Sequence, residues 1–369
     1  MMNRIDQNAV FYAVLIVVGI YFAVSGVVAA KGVLMPITVA GLLAMLLLPV
    51  SGKLEAWGVN RAVAALLSTF ILLILTLVFI FFMTFQIENF SDDLPEMIEI
   101  VQSKIADLEA CIYAKTGISP ERQEDRFVSM LRERVSMLFS NAVGLIGSVP
   151  GFLFTTLLIF VYTFFFVLSR HKFTAFLLTI VPEHNRDQAE EIILNSSKIA
   201  RHYLYGRLLL ILFLFVIYYA GFVVLGLKHA LFISGLAAVL SLVPYIGNII
   251  ALFVALGIGL LTGFGGSGML GVVGVFLAAQ FIESYILEPY VVGSQVDINA
   301  VMTILAIVIG GALWNAVGVI IAIPVVGIVK VICDRIPALH HFGYLLGDSK
   351  SSSSWFEKLK TRIKRKRAH

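Results

Sequence analysis

The chain has 369 residues, of which 59% are hydrophobic and 14% charged, and a formal net charge of +4. Ordinary soluble domains run at about 45 to 50% apolar and about 25% charged, so this composition argues against a soluble globule and for a membrane protein. A helix crossing a hydrocarbon layer of about 30 Å needs about 20 apolar residues, and several stretches qualify.

The first apolar run, Val10 to Ala30, ends in Val28-Ala-Ala30, which loosely resembles a signal-peptidase site. It is long for a signal core and a second run, Val33 to Val50, follows almost at once, so the sequence predicts a retained anchor. Further candidate spans are Ala62 to Phe85, Gly144 to Leu168, Leu208 to Leu227, Ala230 to Leu261, Met269 to Leu287 and Val301 to Ile332. That makes about eight transmembrane helices, two of them overlong. The predicted fold class is an all-α polytopic membrane protein with two broken or re-entrant spans and an extracytoplasmic amphipathic helical pair.

Threading these spans from a cytoplasmic N-terminus puts Lys53, Arg61, Arg170, His171, Lys172, Arg186, Lys198, Arg201 and Arg207 inside, with the basic tail. The short outer loops keep Lys31 and Lys228, and the loop after Glu288 has no Lys or Arg, as the positive-inside rule requires. Both termini are then cytoplasmic. Cys111 and Cys333 fall on opposite sides, which rules out an intramolecular disulfide.

The expected segments are 1–86 with the first three spans, 87–143 outside, 144–168 as the fourth span, 169–207 as a cytoplasmic amphipathic segment, 208–335 as a core of four spans, and 336–369 as a basic tail. In the outer segment Leu94, Ile98, Val101, Ile105, Leu108 and Ile112 recur at steps of four and three. Val128, Leu131, Val135, Leu138 and Ala142 do the same after Gly117 and Pro120. Two amphipathic helices result, packed on each other or on a neighbouring subunit. The cytoplasmic segment reads as a helix along the inner surface, starting near Pro182. Lys358, Lys360, Arg362, Lys364, Arg365, Lys366 and Arg367 in the tail read as an orientation signal compatible with anionic lipid, and no nucleic-acid partner is expected.

No Gly-x-x-x-x-Gly-Lys-[Ser/Thr] run is present, and Gly263-Phe-Gly-Gly-Ser-Gly268 lacks the lysine, so ATP-driven transport by this chain alone is disfavoured. Adjacent His340 and His341 face apart on a helix and make no zinc motif. Neither a cofactor nor a metal is expected, and no enzyme chemistry is supported.

Two features carry chemistry. Pro244 and Gly247, with Tyr245 and Asn248 beside them, interrupt a 32-residue apolar run that would be roughly 48 Å long as one helix. Unwound backbone at membrane depth survives only against protein or a cavity, so the break is either a solute site or a packing kink. Ile309-Gly-Gly-Ala-Leu-Trp-Asn315 interrupts the other overlong span in a comparable way, and eight glycines from Gly257 to Gly274 suit close helix packing or a hinge. In the second feature, Gln280, Ser284 and Glu288 recur every four residues as a polar stripe, with Glu283 next to Gln280. A carboxylate is costly in lipid, so Glu283 should face protein or water, whereas Glu288 also fits the outer interface. The candidate pathway residues are therefore Pro244, Tyr245, Gly247, Asn248, Gln280, Glu283, Ser284, Glu288 and Asn315.

The succession Gly206, Gly226, Val243-Pro-Tyr-Ile-Gly247, Gln280-x-x-Glu283 with Pro289 and Gly293, Ile309-Gly-Gly311, and Gly318 to Pro324 resembles the autoinducer-2 exporter family of bacterial inner-membrane proteins. Pro182 and Arg186 also match its pattern. It departs from that pattern at Asn315, where a glycine is common, and at Ala300, where a proline often starts the last span. The resemblance implies an eight-span transporter in a homo-oligomer such as a pentamer, with 208–335 as transport core. It implies a small polar solute such as autoinducer-2 as cargo, or a monovalent cation exchanged for protons, besides the lipid bilayer as partner. Read from the residues alone, a channel or a non-transporting membrane scaffold stays open.

Overall fold

The computed structural model describes residues 7–116, 149–243, 246–292 and 298–347. Helices succeed one another throughout: α1 (Gln7–Ala29), α2 (Lys31–Ala56), α3 (Arg61–Thr116), α4 (Val149–Leu168), α5 (Arg170–Ile180), α6 (Arg186–Leu225), α7 (Ala230–Leu240), α8 (Ile246–Leu261), α9 (Gly266–Ile282), α10 (Ala300–Arg335) and α11 (His340–Leu346). A π-wound stretch, Glu283–Val292, continues α9. Among the described residues the β pairing is confined to an isolated bridge between Ile298 and Gly347. Five of these helices are long and apolar enough to cross a bilayer, six if the bent pair α4–α5 counts as one span. The protein is thus an all-α polytopic membrane protein.

Two pairs of expected segments are joined by continuous helix. The third span and the first outer helix are one 56-residue helix, α3, about 84 Å long. The inner segment from Arg186 and the fifth span are likewise one 40-residue helix, α6. A switch from apolar to polar side chains changes the solvent a helix face prefers, but it leaves the backbone ladder intact. The second outer helix, expected from Val128 to Ala142, lies outside the described residues, as do Pro244, Tyr245 and the basic tail.

The chain divides into two compact units, one of Met1–Leu66, Thr156–Arg201 and Val296–His369, the other of Leu67–Thr155 and His202–Gln295. In the second unit α6, α7, α8 and α9 run up and down against one another. A methyl group placed on Gly235 of α7 would lie 3.9 Å from the Phe215 ring of α6, and Arg207 of α6 reaches the carbonyl of Ser241 at the far end of α7. Near the end of α8, a methyl on Gly259 would lie 3.7 Å from Leu227, just before α7 begins, and 3.0 Å from Met269 on α9. The overlong run from Ala230 to Leu261 is therefore a helical hairpin, out along α7 and back along α8. Gly226 and Gly263 turn the chain at positive φ of 73° and 74°, where a side chain would be strained.

Both faces of α6 are apolar for different reasons. Leu210, Leu214, Tyr218 and Phe222, four residues apart, are fully buried against Phe232, Ala237, Ala251, Ala255, Phe276 and Ala279. Leu208, Leu212, Val216 and Val223 are exposed, as a lipid-facing stripe requires. Small residues on α7, α8 and α9 let their backbones approach closely, which is how helices gain contact in a solvent as apolar as their own side chains.

In the first unit α10 also folds back on itself. Trp314 (φ −135°, ψ 26°) and Asn315 (φ 54°, ψ −141°) leave the helix, and a methyl on Gly318 would lie 1.9 Å from the Gly310 carbonyl oxygen. Residues eight apart on a straight helix lie about 12 Å from each other, so the arms of α10 are antiparallel. Asn299, before α10, confirms this independently: its backbone N–H donates to the Leu346 carbonyl at 2.9 Å and its side chain to that of Leu345 at 3.0 Å. Threading through straight spans set the loop after Glu288 and the tail on opposite sides, with a re-entrant hairpin as the alternative; because α10 is a hairpin, Ile298 lies beside Gly347.

Candidate functional site

The turn between α7 and α8 carries polar groups into an otherwise apolar bundle. Asn248, in the first turn of α8, donates through Nδ2 to Gln280 Oε1 at 2.7 Å and to Glu283 Oε2 at 2.7 Å. Gln280 donates from Nε2 to the Ser284 hydroxyl at 3.0 Å. Glu283 is 6% exposed and stands where α9 changes from α to π winding. π turns are rare and recur at functional positions.

Gly247, buried at the start of α8, touches the end of α7. A methyl there would lie 1.7 Å from the Leu240 carbonyl oxygen, a backbone atom that cannot swing away. Gly247 thus permits the close approach that brings Asn248 to Glu283. Gln280, Ser284 and Glu288 form the exposed stripe that their spacing predicts, and Glu283 turns inward from it. Asn315 belongs to the other unit, at the bend of the α10 hairpin, where Trp314 Nε1 donates to the Val27 carbonyl of α1 at 3.4 Å.

Sequence reasoning missed Arg207, which was counted only as a positive charge on the inner side. It is 7% exposed, and its Nη2 donates to the Ser241 carbonyl at the α7 terminus. The available signal was its position directly ahead of the apolar run Leu208-Leu-Leu210, with no polar spacer to keep it in water. Arg207 Nε and Tyr218 Oη on α6 and Asn248 Oδ1 on α8 are buried without a hydrogen-bond partner. Of these three side chains Asn248 is hydrogen-bonded to Glu283, Arg207 to the end of α7, and the Tyr218 ring packs on Phe222 and Phe276. Among the described residues no cluster of His, Cys, Asp and Glu could hold a metal ion.

Apolar helices, two helical hairpins and a buried polar network together define a multi-pass membrane protein with an internal polar site, the class to which transporters and permeases belong. The description "AI-2E family transporter" matches residues 10–338, nearly the whole length, and the chain belongs to that family. It is 24% identical to YueF of Bacillus subtilis over 80% of this chain and 82% of that one, a protein named "Putative transport protein". YhhT of Escherichia coli K12, named in the same way, is 25% identical over 89% of this chain and 92% of its own. PerM of the same organism, a "Putative permease", is 24% identical over 90% and 94%.

Proposed function

We propose that the protein is a gradient-driven exporter of a small polar solute such as autoinducer-2, working by alternating access in the bacterial inner membrane with both termini cytoplasmic. Residues 208–335 form the transport core in this reading, in a homo-oligomer such as a pentamer. The observation that carries it is the polar network of Asn248, Gln280 and Glu283, in which Asn248 Oδ1 has no hydrogen-bond partner and can accept from a hydroxylated solute. Buried polar groups without partners are costly, and a site built this way prefers a cargo that completes them.

Glu283 supplies the coupling. As a carboxylate it accepts from Asn248 Nδ2. Once protonated it also gains an O–H donor, for which the unpartnered Asn248 Oδ1 is an acceptor. Proton binding therefore changes the charge and the hydrogen bonding between α8 and α9, so the two protonation states favour different placements of the hairpin.

Flux of a small polyol into proteoliposomes under an imposed proton gradient tests this. Wild-type flux that responds to the gradient, and its loss in Glu283→Gln, is the expected outcome. Undiminished proton-coupled flux in Glu283→Gln would remove Glu283 from the mechanism. The second reading, a sodium or lithium to proton antiporter, is favoured by Asn248 Oδ1 and the carboxylate as oxygen ligands. It predicts that sodium alone collapses a dye-reported proton gradient in inverted vesicles.

A further inference from the structure

We infer that α5 is a helix lying in the plane of the membrane surface that binds anionic phospholipid headgroups, with the acyl chains beneath them covering its apolar face. The inference is independent of what the protein carries. α5 follows α4 after a single residue and leaves it at 70°. A helix at that angle to a spanning helix runs along the bilayer surface rather than through it. Its eleven residues, Arg-His-Lys-Phe-Thr-Ala-Phe-Leu-Leu-Thr-Ile, contain no buried side chain.

The exposed residues are ordered. Phe173, Phe176, Leu177 and Ile180 fall at steps of three, one and three, which places them on one face, at 47%, 59%, 48% and 65% exposure. Such a face in water is an aggregation hazard, whereas the boundary between headgroups and acyl chains accommodates it. It is continuous with α4, whose Phe154, Leu157, Val161 and Phe165 are exposed on the spanning helix just before it. The occupant is therefore the lipid that already surrounds α4.

Charge specifies the headgroup. α5 has Arg170, His171 and Lys172 in its first turn and no acidic residue. The nearby carboxylate, Glu55, is occupied: Arg170 donates to both of its oxygens, at 2.8 and 2.6 Å, and Ser51 donates to Oε1 at 3.1 Å. That fork ties the start of α5 to α2 and pairs the Glu55 charge with Arg170. Lys172 is exposed and, among the described residues, makes no ion pair. It flanks the apolar stripe, where a lysine reaches outward to a phosphate while its stem lies along the hydrocarbon. Anionic leaflets attract such residues with a free energy equivalent to about a fivefold gain in affinity for each Lys or Arg at the surface.

A fluorescent label on Phe176→Cys, in full-length protein with Cys111→Ser and Cys333→Ser, reads α5 alone in bilayers of phosphatidylcholine with increasing phosphatidylglycerol. The expected result is strong quenching by lipids brominated on their acyl chains, weak quenching by aqueous iodide, and deeper immersion as phosphatidylglycerol rises. Lys172→Gln should raise the phosphatidylglycerol needed for half of that change about fivefold. The same label on Ala175→Cys, on the opposite face, should be reached by iodide. Iodide quenching at position 176 overturns the proposal, as does an immersion indifferent to phosphatidylglycerol. Protection from both quenchers also overturns it, because protein rather than lipid would then cover the stripe.

Discussion

Asn248 and Glu283, 35 residues apart in sequence, are joined by a 2.7 Å hydrogen bond that ties the return arm of one helical hairpin to the point where the next helix becomes π-wound. Glu283→Ala leaves Asn248 Nδ2 with Gln280 alone and removes a buried charge-assisted bond, at a cost of about 1.5 to 3 kcal/mol. Glu283→Gln keeps an acceptor at the same place and should cost less than half as much. Melting of the purified protein in detergent separates the two variants; equal losses would mean that the bond contributes nothing.

Arg207 holds the carbonyl of Ser241, where the α7 helix ends. In Arg207→Met that carbonyl loses its partner inside the bundle, so a loss of about 1.5 to 3 kcal/mol is expected. Protease accessibility should rise between residues 240 and 248 and remain unchanged in α2. Uniform destabilisation with no local change at the turn would contradict this role.

The α10 hairpin depends on backbone contact. Gly318→Ala places a methyl 1.9 Å from the Gly310 carbonyl oxygen and must spread the arms, whereas Gly274→Ala meets open space. The first should cost about 3 kcal/mol or more, and the second should be neutral or stabilising by up to about 1 kcal/mol. Asn315, at φ 54°, occupies a backbone region that glycine favours, so Asn315→Gly should relieve about 1 kcal/mol or more of strain. Melting temperatures of the three variants provide the check, and a stable Gly318→Ala would rule out the close crossing.

Asn299 caps α10 by accepting from the Met302 N–H at 2.9 Å and clasps the carbonyl of Leu345. Asn299→Ala should lose about 1 to 2 kcal/mol. Hydrogen exchange should accelerate in α11, because the clasp and not only the cap is lost. Exchange confined to the first turn of α10 would show that the clasp carries no load.

At the start of α7, His229 Nε2 lies 3.1 Å from Asp93 on α3, with the Phe90 ring edge-on at 5.2 Å. Burial lowers the His229 pKa, a shift that the Asp93 charge opposes and Lys228 assists. The folded state therefore binds this proton less readily than the unfolded chain, whose histidine titrates near about 6.5. Stability from this site is complete above that pH and declines as pH falls through about 6.5 towards the lower folded value. A melting curve repeated between pH 8 and pH 5 should show this fall, and His229→Gln should remove part of it. An identical slope in the variant would place the titration elsewhere.

The helical class, the lipid-facing runs and both points of interruption were legible in the sequence, because they follow from local chemistry. Apolar length, the missing N–H of Pro244 and the small size of Gly247, Gly310 and Gly311 act within a few residues of where they stand. The burial of Glu283 was legible for the same reason, since a carboxylate in an apolar run must turn from lipid.

Only the tertiary structure decided that both overlong spans double back. A kink and a hairpin share the same local signals, and they differ in whether Leu227 meets Gly259 and Gly310 meets Gly318 across the turn. The partners were set in the same way: Asn248 reaches Glu283, and Arg207 the end of α7, because α6, α7, α8 and α9 run antiparallel to their neighbours. Helical periodicity reports which residues share a face of one helix, and the face of the next helix that meets it is fixed by packing between distant parts of the chain.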